Sequence, residues 1–303
     1  MAARDAGDSA FRELIDAVNQ AVAWLAENGL TLDRLRLGQY RRDVEDLVRA
    51  DETGNLQEVV RERVSHRLAA SLLEAAELRR LYKALLFFAD GPLEPKLREL
   101  LRRAGSVSEE HSRNSTDNPR DLGLEITLAA RLSASGFGVE IDGNGLFETN
   151  IGGRTVVFDC TRLHGARDAG ARVRDAQRRL AARCAGRPDA RGILAMAVTR
   201  MEELDLDFLT TPDPMQLSRR LERGIDLFLE RYGHLWARPA DASLIGAWVY
   251  VSRPVLVGTT NRLAYAQRFA LESVPFIKEE DDNLLWLIDQ RFRFLAELTA
   301  ALL

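Results

Sequence analysis

The chain predicts a mixed α/β fold: an α-β-β-β-α-β core, preceded by a helical domain and followed by a further strand and helices. Three observations carry this. Residues up to 104 keep helical spacing of their apolar side chains. Residues 137–163 switch to short β-branched and aromatic runs broken by glycine turns. An Arg-rich helical segment then separates those runs from the almost wholly apolar stretch Gly192 to Thr199.

Taking the elements in order, Ser9 is placed to cap a first helix that lines up Phe11, Leu14, Ile15, Val18, Val22 and Leu25 on one face and ends at Gly29. A second helix is predicted over Leu32 to Arg49, a third over much of Asn55 to Asp90, and a fourth from Pro92 to Arg103. These form a helical domain, residues 1–104. Gly105 to Asp117, polar and with a single valine, reads as a linker to a core domain of residues 118–303.

In the core, Asn118-Pro119 signals a helix start, with Asn118 or Asp117 as N-cap and proline at the first helical position. Leu122, Ile126, Ala129 and Ala130 recur at helical spacing, and Gly136 stands where a helix C-cap is expected. Phe137 to Ile141 and Leu146 to Ile151 predict strands joined by the turn Asp142-Gly143-Asn144-Gly145; Gly152-Gly153 predicts a second hairpin turn. Thr155 to Leu163 predicts a third strand, residues 168–185 a helix with Val173, Ala176, Leu180 and Cys184 as its buried stripe, and Gly192 to Thr199 a fourth strand. Pro214 to Trp236 has a helical pattern and Leu244 to Pro254 that of a strand, with Pro254 ending its pairing or marking an edge. Asn261 to Ser273 and Asn283 to Leu303 read as helices. The last packs Leu284, Leu287, Ile288, Phe294, Leu295 and Leu298 around most of its circumference, so it is expected to dock on the body or on a second subunit.

With 303 residues, 46% hydrophobic and 29% charged, the chain is long enough to bury a full core. No apolar run reaches bilayer length and the N-terminus lacks a signal-peptide plan, so no membrane partner is expected and the expected compartment is the cytoplasm. Cys160 and Cys184 are the only cysteines, placed on a strand and a helix, and are expected as reduced thiols; the four histidines show no metal-ligand spacing. Net charge is −4, which speaks against general nucleic-acid affinity, yet between Ile151 and Arg200 eleven arginines face four aspartates, a local +7. A basic helix of this kind suits a phosphate backbone, although a solvated amphipathic face has the same composition.

The succession of elements, together with Asn118-Pro119, Glu125, and the run Asp159-Cys160-Thr161-Arg162 at the end of the third strand, resembles the PD-(D/E)XK nuclease superfamily, the restriction-endonuclease-like fold. The resemblance covers roughly residues 117–200. It implies a phosphodiesterase centre in which Glu125, Asp159 and the carbonyl of Cys160 hold Mg²⁺, with a strand lysine that orients the attacking water. This chain departs from that pattern three times. The lysine position is Thr161, which brings no charge. Leu146 stands where relatives open the second strand with an aspartate, leaving Asp142 and Glu148 as displaced candidates; Asp142 also fits a plain turn residue. Arg179 replaces a glutamine that relatives often carry.

Arg162 cannot replace the lysine, because side chains alternate along a strand and its head leaves on the opposite face from Asp159. The chain's lysines, Lys83, Lys96 and Lys278, all lie outside the α-β-β-β-α-β stretch of roughly residues 117–200. A cation at the site must therefore be an arginine, and Arg172 and Arg179 are the candidates. The expectation is a disabled or weakened nuclease that binds DNA or RNA through Arg162, Arg172, Arg174, Arg178 and Arg179. Two alternatives stand beside it: a metal-dependent endonuclease with a rearranged site, and a structural or protein-interaction module, a homo-oligomer through the C-terminal helix being possible.

Overall fold

The computed structural model describes residues 9–27, 34–55, 58–59, 65–88, 119–142, 145–163, 165–199, 201, 209–211, 214–237, 243–257 and 262–301. The expected helix after Pro92, the linker 105–117, the N-cap at 117–118 and His164 lie outside these. The chain divides into two compact units: Met1–Pro119 with Leu206–Arg220 and Ser252–Gln267, and Arg120–Asp205 with Leu221–Val251 and Arg268–Leu303. Two segments of the C-terminal half, Leu206–Arg220 and Ser252–Gln267, thus belong to the same unit as the N-terminal helices.

In the first unit, α1 (Ser9–Glu27), α2 (Arg34–Glu52) and α3 (Ser65–Phe88) pack around Leu14, Val18, Val44, Leu47, Leu68 and Leu72. The Ser71 hydroxyl donates to the buried Asp43 carboxylate at 2.6 Å, so this core contains one satisfied polar pair.

The second unit carries the α-β-β-β-α-β succession: α4 (Pro119–Ala134), β1 (Val139–Ile141), β2 (Leu146–Ile151), β3 (Arg154–Arg162), α5 (Ala166–Cys184) and β4 (Ala190–Ala197). α4 closes with the paired bonds of a Schellman motif, Phe137 N–H to the Leu132 carbonyl at 3.2 Å and Gly136 N–H to that of Ser133 at 2.9 Å. β1, β2 and β3 form an antiparallel meander; Gly152 and Gly153 turn the second hairpin with φ of 60° and 79°, the left-handed pair that a two-residue type I′ turn demands. β3 then crosses over through α5 to β4, which runs parallel to it.

Beyond β4 come β5 (Leu209–Thr211), α6 (Pro214–Tyr232), a 3₁₀ turn Gly233–Leu235, β6 (Leu244–Val257), β7 (Arg262–Ser273) and α7 (Glu279–Ala301). The sheet order is β1-β2-β3-β4-β6-β5, with β7 also on β6. Two expectations are corrected here. Residues 262–273 are a strand rather than a helix: pairing with β6 overrides the helix propensity of their alanines. β6 runs past Pro254, which falls between the pairing with β4 that ends at Tyr250 and the pairing with β5 that begins at Val255. In α7, Leu284 and Ile288 are buried as expected and Leu285 joins them; side chains from 291 onward lie outside the description. No helix among the described residues is long and apolar enough to cross a membrane.

Candidate functional site: an acid and arginine cluster

β3 ends in the run that the sequence singles out. Its register sets Asp159 opposite Leu146 on β2 and Leu194 on β4, so the residue facing Asp159 across the hairpin is indeed apolar. Alternation puts Thr161 on the face of Asp159, and both are buried. That face meets α5: Gly192, in register with Val157, lies against the Leu180 side chain. Arg179, one residue before Leu180, reaches Asp159 from above.

The contact is bidentate. Arg179 Nε donates to Asp159 Oδ2 and Nη2 to Oδ1, both at 2.8 Å, the planar fork that matches a carboxylate. Asp159 is fully buried while the Arg179 side chain keeps 38% of its exposure, so the carboxylate carries the larger desolvation cost. Burial pushes the Asp159 pKa up to about 6, against the pull of Arg179, and the negative charge of Asp121 adds to the rise.

Asp121 is the acid that sequence reasoning missed. It sits in the first turn of α4, one turn ahead of Glu125. Its Oδ1 accepts the backbone N–H of Arg162 at 2.7 Å and its Oδ2 accepts Arg172 Nη1 at 3.3 Å; burial raises its pKa too, with Arg172 opposing. The spacing of four between Asp121 and Glu125 was a legible signal for two carboxylates on one helix face.

Glu125 is fully buried and accepts the Gly145 N–H at 2.8 Å. The Gly145 carbonyl in turn takes the Cys160 N–H at 2.7 Å, so Glu125 is tied to the residue after Asp159 through the start of β2. The Cys160 thiol is pushed well up by burial and by the charges of Glu125, Asp159 and Asp121, which leaves it a protonated packing group. Cys160 and Cys184 are both buried, and no disulfide joins them.

The displaced candidates fall elsewhere. Glu148 accepts both Arg187 Nη1 and Nη2 at 2.8 Å, together with Arg183 Nε, and these bonds, Arg187's first, hold its carboxyl below the usual range. Asp142 lies 3.9 Å from Arg183. Neither contributes an oxygen to the cluster at Asp159.

The Mg²⁺ expectation therefore meets the wrong donor set. Both oxygens of Asp159 are taken by Arg179, both of Asp121 by Arg162 and Arg172, and one of Glu125 by Gly145. Among the described residues no three of His, Cys, Asp and Glu are grouped as ligands. A fixed guanidinium stands where a metal ion needs open carboxylate oxygens, and the residues present do not fit the ion.

The basic patch is likewise thinner than the local count of +7 suggests. Arg154 and Arg191 share Asp281 on α7 at 2.6 Å, Arg154 also reaches Glu280, and Arg183 and Arg187 share Glu148; these acids all come from outside the counted window. On α5, Arg167, Arg174 and Arg178 face solvent, the last paired with Asp175. Compared with protein-family models, curated proteins and solved structures, the chain finds no match.

Proposed function

We propose that this chain is a nucleic-acid-binding module on a restriction-endonuclease-like core whose hydrolytic centre has been replaced by an arginine. The observation that carries the reading is the bidentate Arg179–Asp159 pair. Hydrolysis in this fold requires a labile cation with open coordination positions beside the acid. A covalently tethered, permanently protonated guanidinium neutralises the same charge but activates no water, and it retains affinity for phosphate.

The test combines two assays on the full chain. Supercoiled DNA and structured RNA are incubated with Mg²⁺ or Mn²⁺, and binding of labelled strands is followed by fluorescence anisotropy across a salt series. The expected result is no cleavage, with binding that weakens as salt rises and on Arg174→Glu and Arg178→Glu. Cleavage abolished by Asp159→Ala replaces this reading with a rearranged endonuclease.

One feature favours a second reading, a partner-binding protein. Phe276 is fully exposed at φ 64°, the only non-glycine residue with positive φ among those described, on the rim of a cleft of about 600 Å³ that Arg187, Arg191, Lys278 and Asp281 also line. Trp286 on α7 is exposed as well. A change in oligomeric state on Phe276→Ala or Trp286→Ala, measured by light scattering in the absence of nucleic-acid binding, selects this reading.

A further inference from the structure

We propose that Arg172 and Arg179 form a phosphate clamp, and that Asp121 and Asp159, the acids facing them, act as positioning residues that aim it. This rests on the nucleic-acid reading and names the groups that meet the backbone.

Arg179 commits Nε and Nη2 to Asp159, which leaves Nη1 with its two hydrogens. Arg172 commits Nη1 to Asp121, with Nε 3.6 Å from Asp168, which leaves Nη2. Neither remaining nitrogen has a protein partner among the described residues, and both side chains keep contact with solvent. The two residues are seven apart on α5, about 10.5 Å along its axis and on one face. Asp121 feels the positive charge of Arg172 most, then of Arg162 and of Arg179, so both arginines lie within electrostatic reach of the first turn of α4.

Such an arrangement selects its ligand. Two guanidiniums that each keep an unspent N–H donor suit an oxyanion, the group that accepts charged N–H bonds. Each arginine is already held by its acid, so it loses little rotamer freedom on binding. The acids that would bind metal in a hydrolytic centre thus serve to orient arginines. Inorganic phosphate and a nucleic-acid backbone offer the same chemistry, and the assay separates them.

The full chain is titrated against a labelled single-stranded oligonucleotide, with inorganic phosphate as competitor and, separately, as a direct ligand by calorimetry. Arg172→Gln and Arg179→Gln are each expected to weaken oligonucleotide binding about tenfold or more. Arg179→Lys, which keeps the charge and loses the fork, stays weak. Arg179→Gln leaves a buried carboxylate without its partner, so Arg172→Gln, which gives up a single 3.3 Å bond, keeps the test independent of folding. Asp121→Asn weakens binding in the wild-type background and adds nothing on top of Arg172→Gln; a merely structural role would add in both. Oligonucleotide binding unchanged in both arginine variants sinks the clamp and leaves nucleic-acid binding standing. Binding of inorganic phosphate alone, lost in the same variants, keeps the clamp and overturns the nucleic-acid reading, and binding of neither probe overturns both.

Discussion

Replacing Asp159 with asparagine tests the electrostatics of the site through stability alone. The carboxyl has a pKa of about 6 in the folded chain, against the ordinary value of 3.8. A carboxyl raised on folding binds more protons in the native than in the unfolded state between those values. Stability on its account is therefore highest below about pH 3.8, falls as pH rises through about 6, and stays at its deficit above that. At 1.36 kcal/mol per unit the deficit at neutral pH is about 3 kcal/mol. Asp159→Asn removes the slope while retaining an oxygen for Arg179. The stability difference between variant and wild type should then shift by about 3 kcal/mol in the variant's favour from about pH 3 to about pH 7.5. Urea unfolding followed by tryptophan fluorescence measures it, since Trp236, Trp248 and Trp286 lie in the same unit as Asp159. A difference independent of pH, or one that moves toward the wild type as pH rises, refutes the reasoning: Arg179 would then solvate the charge better than burial penalises it.

Three further outcomes follow from the geometry. Glu125→Ala, which leaves the buried Gly145 N–H without its acceptor, should cost about 1–3 kcal/mol by chemical denaturation, whereas Glu125→Gln keeps an acceptor oxygen and should cost clearly less; equal losses contradict this. Gly145→Ala forces a side chain onto φ 82° with its Cβ 3.2 Å from the Cys160 carbonyl oxygen, and should lower stability by about 1–2 kcal/mol; a neutral result in thermal melts shows that the β2 start gives way freely. Millimolar Mn²⁺ should leave the melting temperature unchanged, and a stabilisation that Asp159→Ala abolishes counts against the arginine-filled centre.

The parts of the fold that local chemistry determines could be read from the chain, and those that partners determine could not. The bounds Leu146 to Ile151 coincide with β2 because the turns on either side of it, ending in Gly145 and beginning at Gly152, are local signals. Residues 262–273 carry alanines that favour a helix in isolation, and only β6 alongside makes them a strand. β5, three residues long, has too few positions to show a period. At the site, the absence of lysines from the αβββαβ stretch directs attention to Arg172 and Arg179, which bond to Asp121 and Asp159. Asp121 falls outside the motif of the resemblance, which directs attention to Glu125. The local charge of the basic window could not be read from the chain for a different reason: Asp121, Glu148, Glu280 and Asp281, which pair with its arginines, are distant from them in sequence and adjacent only in the fold.

Glu125 to Gly145 and Asp159 to Arg179 each join residues 20 apart, and the segment from Asp121 to Arg179 contains every side chain of the cluster. Such short loops close quickly and at modest entropic cost. The bonds that tie the cluster together are therefore local ones, and all of its side chains lie within one stretch of some sixty residues.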